Sequence, residues 1–523
     1  MYFILRMKFL AVFLLWKTNS CLGSSNQYIV LYKRPMIGSD TGKDAYKEEE
    51  NVYTSIYENM KNNVFTKQDK VVNKMRNGYI GILCDKTARI IENDPLVELV
   101  ERDREVVINS IVDSKVPYFK VKDLFFESKN DEDEIILTQM NAPWGITRIS
   151  DGEKYSFKSL YKYPSSAGEG VDVYIIDTGI EIDHPEFKGR AKWGINLIEK
   201  SPDTDENGHG THCAGVIAGK NVGISKKANL IAVKALNKAG IGMISRLLLG
   251  IDYVIREHSK KIDEMSEITR KKFLNSVKIR NRNPKMFKKH RVPVEIDESE
   301  EYQFIKEINE ADFQVIEKDK DKFLTSLEEY MNIEEIKPKT VVSMSVGGLR
   351  SKAMEFTIDY ATMLGIHFSV AAGNDHEDAC LYSPGSSKNA LTVGASTQYD
   401  KIAFFSNWGS CVDLFAPGFE ILSSWINKDY RVVSGTSMAA PHVTGVMALY
   451  LGENSYSPKQ LYNRLIRDSY GVIEDEDAEI TSFQEIWPIS LLFDKENTNN
   501  FPLVSTKKLL GRVNKRKLQK VQK

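Results

Sequence analysis

Apolar runs at Val171–Ile176 (VDVYII), Leu230–Leu236 (LIAVKAL), Thr340–Met344 and Phe368–Ala371 constrain this chain more than any other feature in it. Each is short, rich in β-branched residues and apolar on both faces, so none suits a strand with one side in water. Helical stretches such as Ser245–Ile255 lie between them. Strands buried on both sides and alternating with helices predict an α/β fold built on a doubly wound, mostly parallel sheet. Such a sheet opens its ligand cleft at the carboxyl ends of the strands. Residues that close these runs are therefore candidates for chemistry.

Three motifs stand at such points. Asp177-Thr178-Gly179 closes VDVYII, Asn207–His212 (NGHGTH) opens the apolar run CAGVIAG, and Ser434–Pro441 (SGTSMAAP) opens HVTGVMALYL. A serine at the start of a helix presents its hydroxyl at the positive end of the dipole, where a developing oxyanion is also favoured. A neutral imidazole can take the serine proton and return it to a leaving amine, and a carboxylate can fix its tautomer. Asp, then His, then Ser along the chain is one of several unrelated orders in which this triad occurs. A second Asp-Thr-Gly at Asp40–Gly42 raises the aspartic-protease reading, which needs two such carboxylates together. That copy follows Met36-Ile37-Gly38-Ser39 in a polar stretch and reads as a turn. Ser437 sits in Gly-Thr-Ser-Met-Ala, not Gly-x-Ser-x-Gly, so the α/β-hydrolase reading fails on motif and on order. His212 and His442 read as packing residues.

GTSMAAPHVTG, HGTHCAG and VYIIDTGIEIDHPEF together resemble the subtilisin superfamily of serine endopeptidases, and Asn141–Ile146 (NAPWGI) is similar to the mature start of its proteinase K branch. The resemblance covers about 140–255 and 340–470, and 26–113 is similar to the inhibitory propeptide of that family. It implies catalytic roles for Asp177, His209 and Ser437, with Asn374 as the side-chain oxyanion donor beside the Ser437 N–H. It implies that Gly240-Ile241-Gly242 and Ser345-Val346-Gly347 are the edges between which an extended peptide is held as an added strand. It further implies a disulfide between Cys380 and Cys411, a free Cys213, and Asp413 with carbonyls near Lys388 and Ala390 as a site for calcium as a structural ion. No cofactor is required for the reaction.

The expected activity is hydrolysis of peptide bonds through an acyl-enzyme, with broad specificity and an apolar bias at the residue before the cut. The chain would be a secreted zymogen that processes itself, inhibited by its own propeptide, acting on proteins for nutrition or to activate proproteins. The alternative from another class is a catalytically silent secreted scaffold.

The remaining segments set the expected domain organisation. Phe9–Trp16 behind Arg6 and Lys8 reads as a signal peptide (1–23), too short to span a bilayer. It implies the secretory route, ending outside the cell, in a vacuole or in a cell or spore wall. No later run is long enough for a transmembrane segment. Loss of Cys21 with the signal leaves Cys84, Cys213, Cys380 and Cys411 in an oxidising compartment, with three full pairings open. A formal charge of −1 excludes a nucleic-acid footprint, and a monomer is expected. The strand-like runs 28–33, 78–85 and 104–108 predict a small sheet with helices over 26–113. The polar stretch 114–138 reads as a linker with the processing site, and 139–475 as the peptidase domain. Within it, 256–339 is a charged insertion: Arg270–Arg291 holds ten basic residues and no acid, Glu295–Glu335 fifteen acids and four lysines. It is expected at the sheet edge away from the cleft, neither lid nor specificity element. The extension 476–523 ends in a basic tail, Lys507–Lys523, expected as a solvated tail or processed extension, with surface anchoring as the alternative.

Overall fold

A computed structural model describes residues 25–33, 43–108, 111–112, 135–151, 159–281, 338–471 and 502–513. The signal segment, the second Asp-Thr-Gly, residue 113, residues 114–134 of the linker and 282–337 of the insertion fall outside the described residues. The chain divides into two compact units, Met1–Ile255 with Lys339–Lys523, and Arg256–Pro338. Among the described residues no helix is long and apolar enough to cross a membrane.

The first unit begins with strand β1 (Ser25–Tyr32), helix α1 (Lys43–Asn63), strands β2 (Lys70–Met75) and β3 (Gly78–Cys84), helix α2 (Asp85–Glu92) and strand β4 (Val97–Arg102). The strands pair antiparallel in the order β2-β3-β1-β4. β1 is apolar at successive positions because both faces of this sheet are covered. Val30 and Tyr32 pack with Tyr53, Met60 and Tyr79 beneath the helices. Ile29 and Leu31, on the opposite face by the two-residue period of a strand, share a core with Ile176, Ile251 and Ile358 of the larger sheet domain. The sequence YIVLY thus encodes an interface as well as a strand.

Two short strands follow, β5 (Glu105–Val107) and β6 (Ile111–Val112). The domain beyond them contains β7 (Ile136–Gln139), α3 (Trp144–Asp151), β8 (Tyr161–Pro164), β9 (Asp172–Asp177), β10 (Ala191–Asn196), α4 (His209–Ala218), β11 (Asn229–Lys234), β12 (Ile241–Met243) and α5 (Ile244–Asn281). After the insertion come β13 (Thr340–Met344), β14 (Gly348–Leu349), α6 (Lys352–Met363), β15 (His367–Ala371), β16 (Tyr382–Ser383), β17 (Leu391–Ser396), β18 (Leu414–Pro417), β19 (Ile421–Trp425), β20 (Asp429–Ser434), α7 (Thr436–Glu453), α8 (Pro458–Asp468), β21 (Tyr470–Gly471) and β22 (Pro502–Leu503).

The main sheet runs β10-β11-β9-β13-β15-β17-β18-β22-β21. It is parallel from β10 to β22 and antiparallel only at the last pair. This is the α/β architecture that the alternating apolar runs imply. Every residue of β9, β13 and β15 is buried, as strands covered by helices on both faces require. Parallel order sends the ends of β9, β11, β13 and β15 to one side, and α4 and α7 begin there.

Two carboxylates join the N-terminal sheet to this domain. Asp103 Oδ1 accepts the Ser245 N–H at the start of α5 (3.0 Å), and Glu101 Oε2 accepts the Ala353 N–H at the start of α6 (3.0 Å). Each sits where orphan N–H groups and the helix dipole favour an anion.

The C-terminal extension departs from expectation. Residues 502–513 are part of the sheet domain: β22 pairs with β18, and Leu509 and Val513 enter its core. Lys508 Nζ donates to the Arg467 carbonyl and Arg512 pairs with Asp468. Basic residues dominate the local composition, but the apolar residues at helical spacing decide the packing. Residues 514–523 lie outside the described residues.

Candidate active site

Asp177 ends β9, fully buried, and His209 begins α4. His209 Nδ1 lies 2.8 Å from Asp177 Oδ1 and 3.0 Å from Oδ2, so the carboxylate holds the Nδ1–H and leaves Nε2 as the basic atom. Glycine makes this approach possible. A Cβ on Gly210 would stand 2.2 Å from the Gly179 carbonyl oxygen. Gly208, at φ 107, occupies the left-handed region against the Trp425 ring.

The turn before α4 is held by Asp205, which the sequence reading did not single out. Its Oδ1 accepts from the Thr178 hydroxyl and the Gly208 N–H, and its Oδ2 from the N–H and hydroxyl of Thr211. One buried carboxylate therefore ties the Asp177 loop to the first turn of the His209 helix. An acid four residues before a histidine that opens an apolar run was the available signal.

Ser437 is the second residue of α7 and is buried. Its hydroxyl donates to the Ser345 carbonyl (3.2 Å), and the Ser345 hydroxyl donates to the Ser437 carbonyl (2.8 Å). Among the described residues, His209 Nε2 is buried without a hydrogen-bond partner. Asp177 and His209 are thus joined, while the serine hydroxyl rests on a carbonyl instead of on the imidazole.

Burial alone would lower the His209 pKa, but the Asp177 carboxylate outweighs it and leaves the imidazole well above its ordinary value. Cys213 is free and buried, 4.0 Å from His209 Nδ1, and donates to the Ser437 carbonyl. Burial pushes its thiol up, so at neutral pH it stays uncharged and adds little to the field at His209. His212 and His442 contact the backbone carbonyls of Ile421 and Met438, and burial lowers them to about 3 and about 4.

Asn374 follows β15. Its Oδ1 accepts both the N–H (2.7 Å) and the hydroxyl (2.8 Å) of Thr436, which fixes the amide and leaves Nδ2 as its donor end. The Ser437 N–H, in the first turn of α7, has no acceptor within the helix. A cavity of about 170 Å³ lies beside these groups, lined by Val346, Ala371 and Ala372 together with Asn374 and Ser437. Asp375 also lines it, an acid absent from the sequence-level site.

The cleft already holds a peptide. β5 pairs antiparallel with β12, setting Val107 opposite Ile241 and Val106 opposite Gly242, and the Ile108 N–H donates to the Gly240 carbonyl (3.0 Å). On its other side Val107 exchanges both backbone hydrogen bonds with Gly347, at 3.0 and 3.1 Å. β6 pairs antiparallel with β20, placing Ile111 opposite Ser434, three residues before Ser437. The segment 104–108 was expected as a strand of the small N-terminal sheet. It joins the cleft because pairing partner is a long-range choice that strand pattern does not encode.

Cys380 and Cys411 form a disulfide with Cα atoms 5.3 Å apart. Cys84 is also disulfide-bonded. Asp413, expected as a calcium ligand, is engaged by protein donors. Its Oδ2 takes the Thr392 N–H, its Oδ1 takes the Tyr462 hydroxyl, and burial raises its pKa to about 7. Among the described residues no cluster of three or more acids, histidines or cysteines includes it.

Comparison with known families decides the identity. The model of the Subtilase family matches residues 168–271 and 306–498. This chain belongs to the subtilase family. It is a serine endopeptidase of that family. A protein of Encephalitozoon cuniculi named as a subtilisin-like proteinase 1 is 43% identical over 86% of this subtilase and 89% of its own length. Subtilisin-like protease 8 of Arthroderma benhamiae is 34% identical over 82% of this chain and 72% of its own. Alkaline protease 2 of Aspergillus fumigatus is 35% identical over 72% and 59%. A solved cold-adapted subtilisin-like serine proteinase is similar at 30% identity and a TM-score of 0.48, over 70% of this subtilase and 98% of that chain.

Proposed function

We propose that this subtilase is a self-processing zymogen whose triad is Asp177, His209 and Ser437 and whose first substrate is its own chain. One observation carries the reading: β5, at 105–107, pairs with Ile241–Met243 and Gly347, and β6, at 111–112, pairs with Val433–Ser434 just before Ser437. For the reaction the Ser437 hydroxyl turns from the Ser345 carbonyl toward His209 Nε2. The oxygen then attacks the substrate carbonyl, Nε2 takes its proton, and Asp177 stabilises the imidazolium. Asn374 Nδ2 and the Ser437 N–H receive the oxyanion. The proton passes to the leaving amine, and water completes hydrolysis of the ester. No metal or cofactor enters these steps.

The cut lies between Ile108 and Ile111, upstream of the linker at 114–138 first expected to hold it. The antiparallel ladder at Val107–Gly347, continued by two residues, reaches Ser345 and with it Ser437, which favours the 109–110 bond. The domain 25–108 then acts as inhibitory propeptide, with backbone pairing as its main hold on the cleft. N-terminal sequencing of the wild-type product tests this. A new N-terminus at Ser110 is expected, and an intact 105–112 segment in an active, fully processed enzyme would contradict it.

Backbone pairing accepts many sequences: the walls of the cavity beside Ser437 favour an apolar side chain before the cut, while the chain's own cut follows Asn109. Asp375 disfavours an acidic one there. Physiological substrates would be proteins reached along the secretory route, as the apolar N-terminal run implies.

His209 must be neutral to act as base, and its pKa stands well above 6.5. The rate constant kcat/KM should therefore fall as pH drops, with an acid-limb midpoint above 6.5. The pH profile of the propeptide-free enzyme on an amide substrate checks this, and a midpoint below 6.5 would contradict it.

A further inference from the structure

We propose that Asn407 is a positioning residue for the oxyanion donor: its side-chain amide holds the loop 372–377 so that Asn374 presents Nδ2 where the developing charge will be. This rests on the reading of Asn374 as a donor given above. Asn407 lies beyond β17 in Phe405-Ser406-Asn407-Trp408-Gly409 and is fully buried. Its Oδ1 accepts the N–H of Asp375 (2.9 Å) and of Glu377 (3.0 Å), and its Nδ2 donates to the Ala372 carbonyl (3.0 Å). Its own N–H donates to the Gly373 carbonyl (3.0 Å). Two donors on Oδ1 and a carbonyl on Nδ2 also settle which way the amide faces.

One residue therefore grips the chain on both sides of Asn374. The fit is close. A Cβ on Gly373 would stand 2.3 Å from Asn407 Nδ2, and Gly373 takes a φ of 106, in the left-handed region. The loop is shaped around this amide, and no larger residue at 373 would leave room for it.

A buried asparagine commonly satisfies backbone groups that no strand pairs. Here those groups flank a donor whose worth depends on distance, because it must lie about 2.7–3.1 Å from the oxyanion. Two clamps set that distance. Thr436, at the start of α7, holds the Asn374 side chain through Oδ1, and Asn407 holds the backbone from which the side chain springs. Backbone pairing at Ile241–Met243 and Gly347 holds β5 without help from the second clamp. Its loss should leave substrate binding and weaken a contact made only in the transition state, so the effect falls on kcat.

The test is a double-mutant cycle on the full chain, matured by prolonged incubation: wild type, Asn407→Ala, Asn374→Ala and the pair, with kcat and KM read on a peptide p-nitroanilide. Where a variant matures too slowly to isolate, the first-order rate of its own conversion replaces kcat. In subtilisin the loss of one such donor costs about 10²–10³ in kcat, and a loss on that scale is expected for Asn374→Ala. Asn407→Ala is expected to lower kcat about 10- to 100-fold with KM within about threefold of wild type. The pair should stay within about threefold of Asn374→Ala alone, because a donor already removed cannot be misplaced. Asn407→Ser keeps a hydrogen-bonding oxygen and should recover part of the rate; it carries the same cycle if circular dichroism shows the alanine variant unfolded. Losses that multiply in the pair, a loss that falls on KM, or a kcat within about threefold of wild type in Asn407→Ala overturns the proposal. Unfolding of both Asn407 variants overturns it as well, by making the residue one of folding. An Asn374→Ala enzyme within about threefold of wild type defeats the donor reading itself.

Discussion

Ser437→Ala is expected to accumulate as a precursor with residues 105–112 still continuous, and to hydrolyse no peptide substrate above background. The side chain is small and buried at the start of α7, and its one donated hydrogen bond runs to the Ser345 carbonyl. Alanine fits the same space, so the fold should persist and the defect should be chemical. In subtilisin itself, removal of the serine costs about 10⁶ in kcat, and the remainder comes from the oxyanion donors and binding. A loss on that scale is expected here. Normal maturation of this variant, with no other protease present, would show that the cut is made in trans by something else. Unfolded or aggregated protein, read by circular dichroism, would instead show that Ser437 carries structure.

Asp177→Asn is the second large effect. The amide matches the carboxylate in size, but it can present an N–H to His209 Nδ1 and so stabilise the tautomer with the proton on Nε2. That tautomer cannot accept the serine proton. A loss of about 10⁴ in kcat is expected, with KM changed little. The substitution also removes the charge that raises the imidazole, so whatever activity remains should show its acid limb at lower pH than wild type. A variant that retains within about tenfold of wild-type kcat would remove Asp177 from the mechanism.

The parts of this fold that were legible in the sequence are those whose signal is local and strong. VDVYII is buried at every position because a central parallel strand has no wet face, and the pattern states as much. The glycines around His209 and the Gly-Thr-Ser at the start of α7 announce backbones that must approach closely. The edges at Gly240–Gly242 and Ser345–Gly347 rest on the resemblance alone; β5 pairs with Ile241–Met243 and meets Gly347.

What escaped depends on partners far away in the chain. REVVI reads as a strand, but nothing within it says that its partners are Ile241 and Gly347 and not the neighbouring β4. Helix α1, Lys43–Asn63, is so charged that its apolar positions Tyr53, Ile56, Tyr57 and Met60 stand out only once β1 and β3 lie beneath them. Asp413 looks like a cation ligand by position. Its Tyr462 and Thr392 partners, 49 and 21 residues away, turn it into a hydrogen-bonded group of the interior. The basic C-terminus was read by its charge, whereas Leu509 and Val513 determine where it lies.

Covalent labelling tests the central claim most directly. The propeptide-free enzyme is treated with a fluorophosphonate at a pH above the His209 pKa, digested, and the modified residue identified by mass spectrometry. A hydroxyl activated by a neutral imidazole is expected to give one adduct, on Ser437, absent in Asp177→Asn under the same brief exposure. Labelling of another serine, or none in folded enzyme that still cleaves peptides, would contradict the assignment of Asp177, His209 and Ser437 as one catalytic unit.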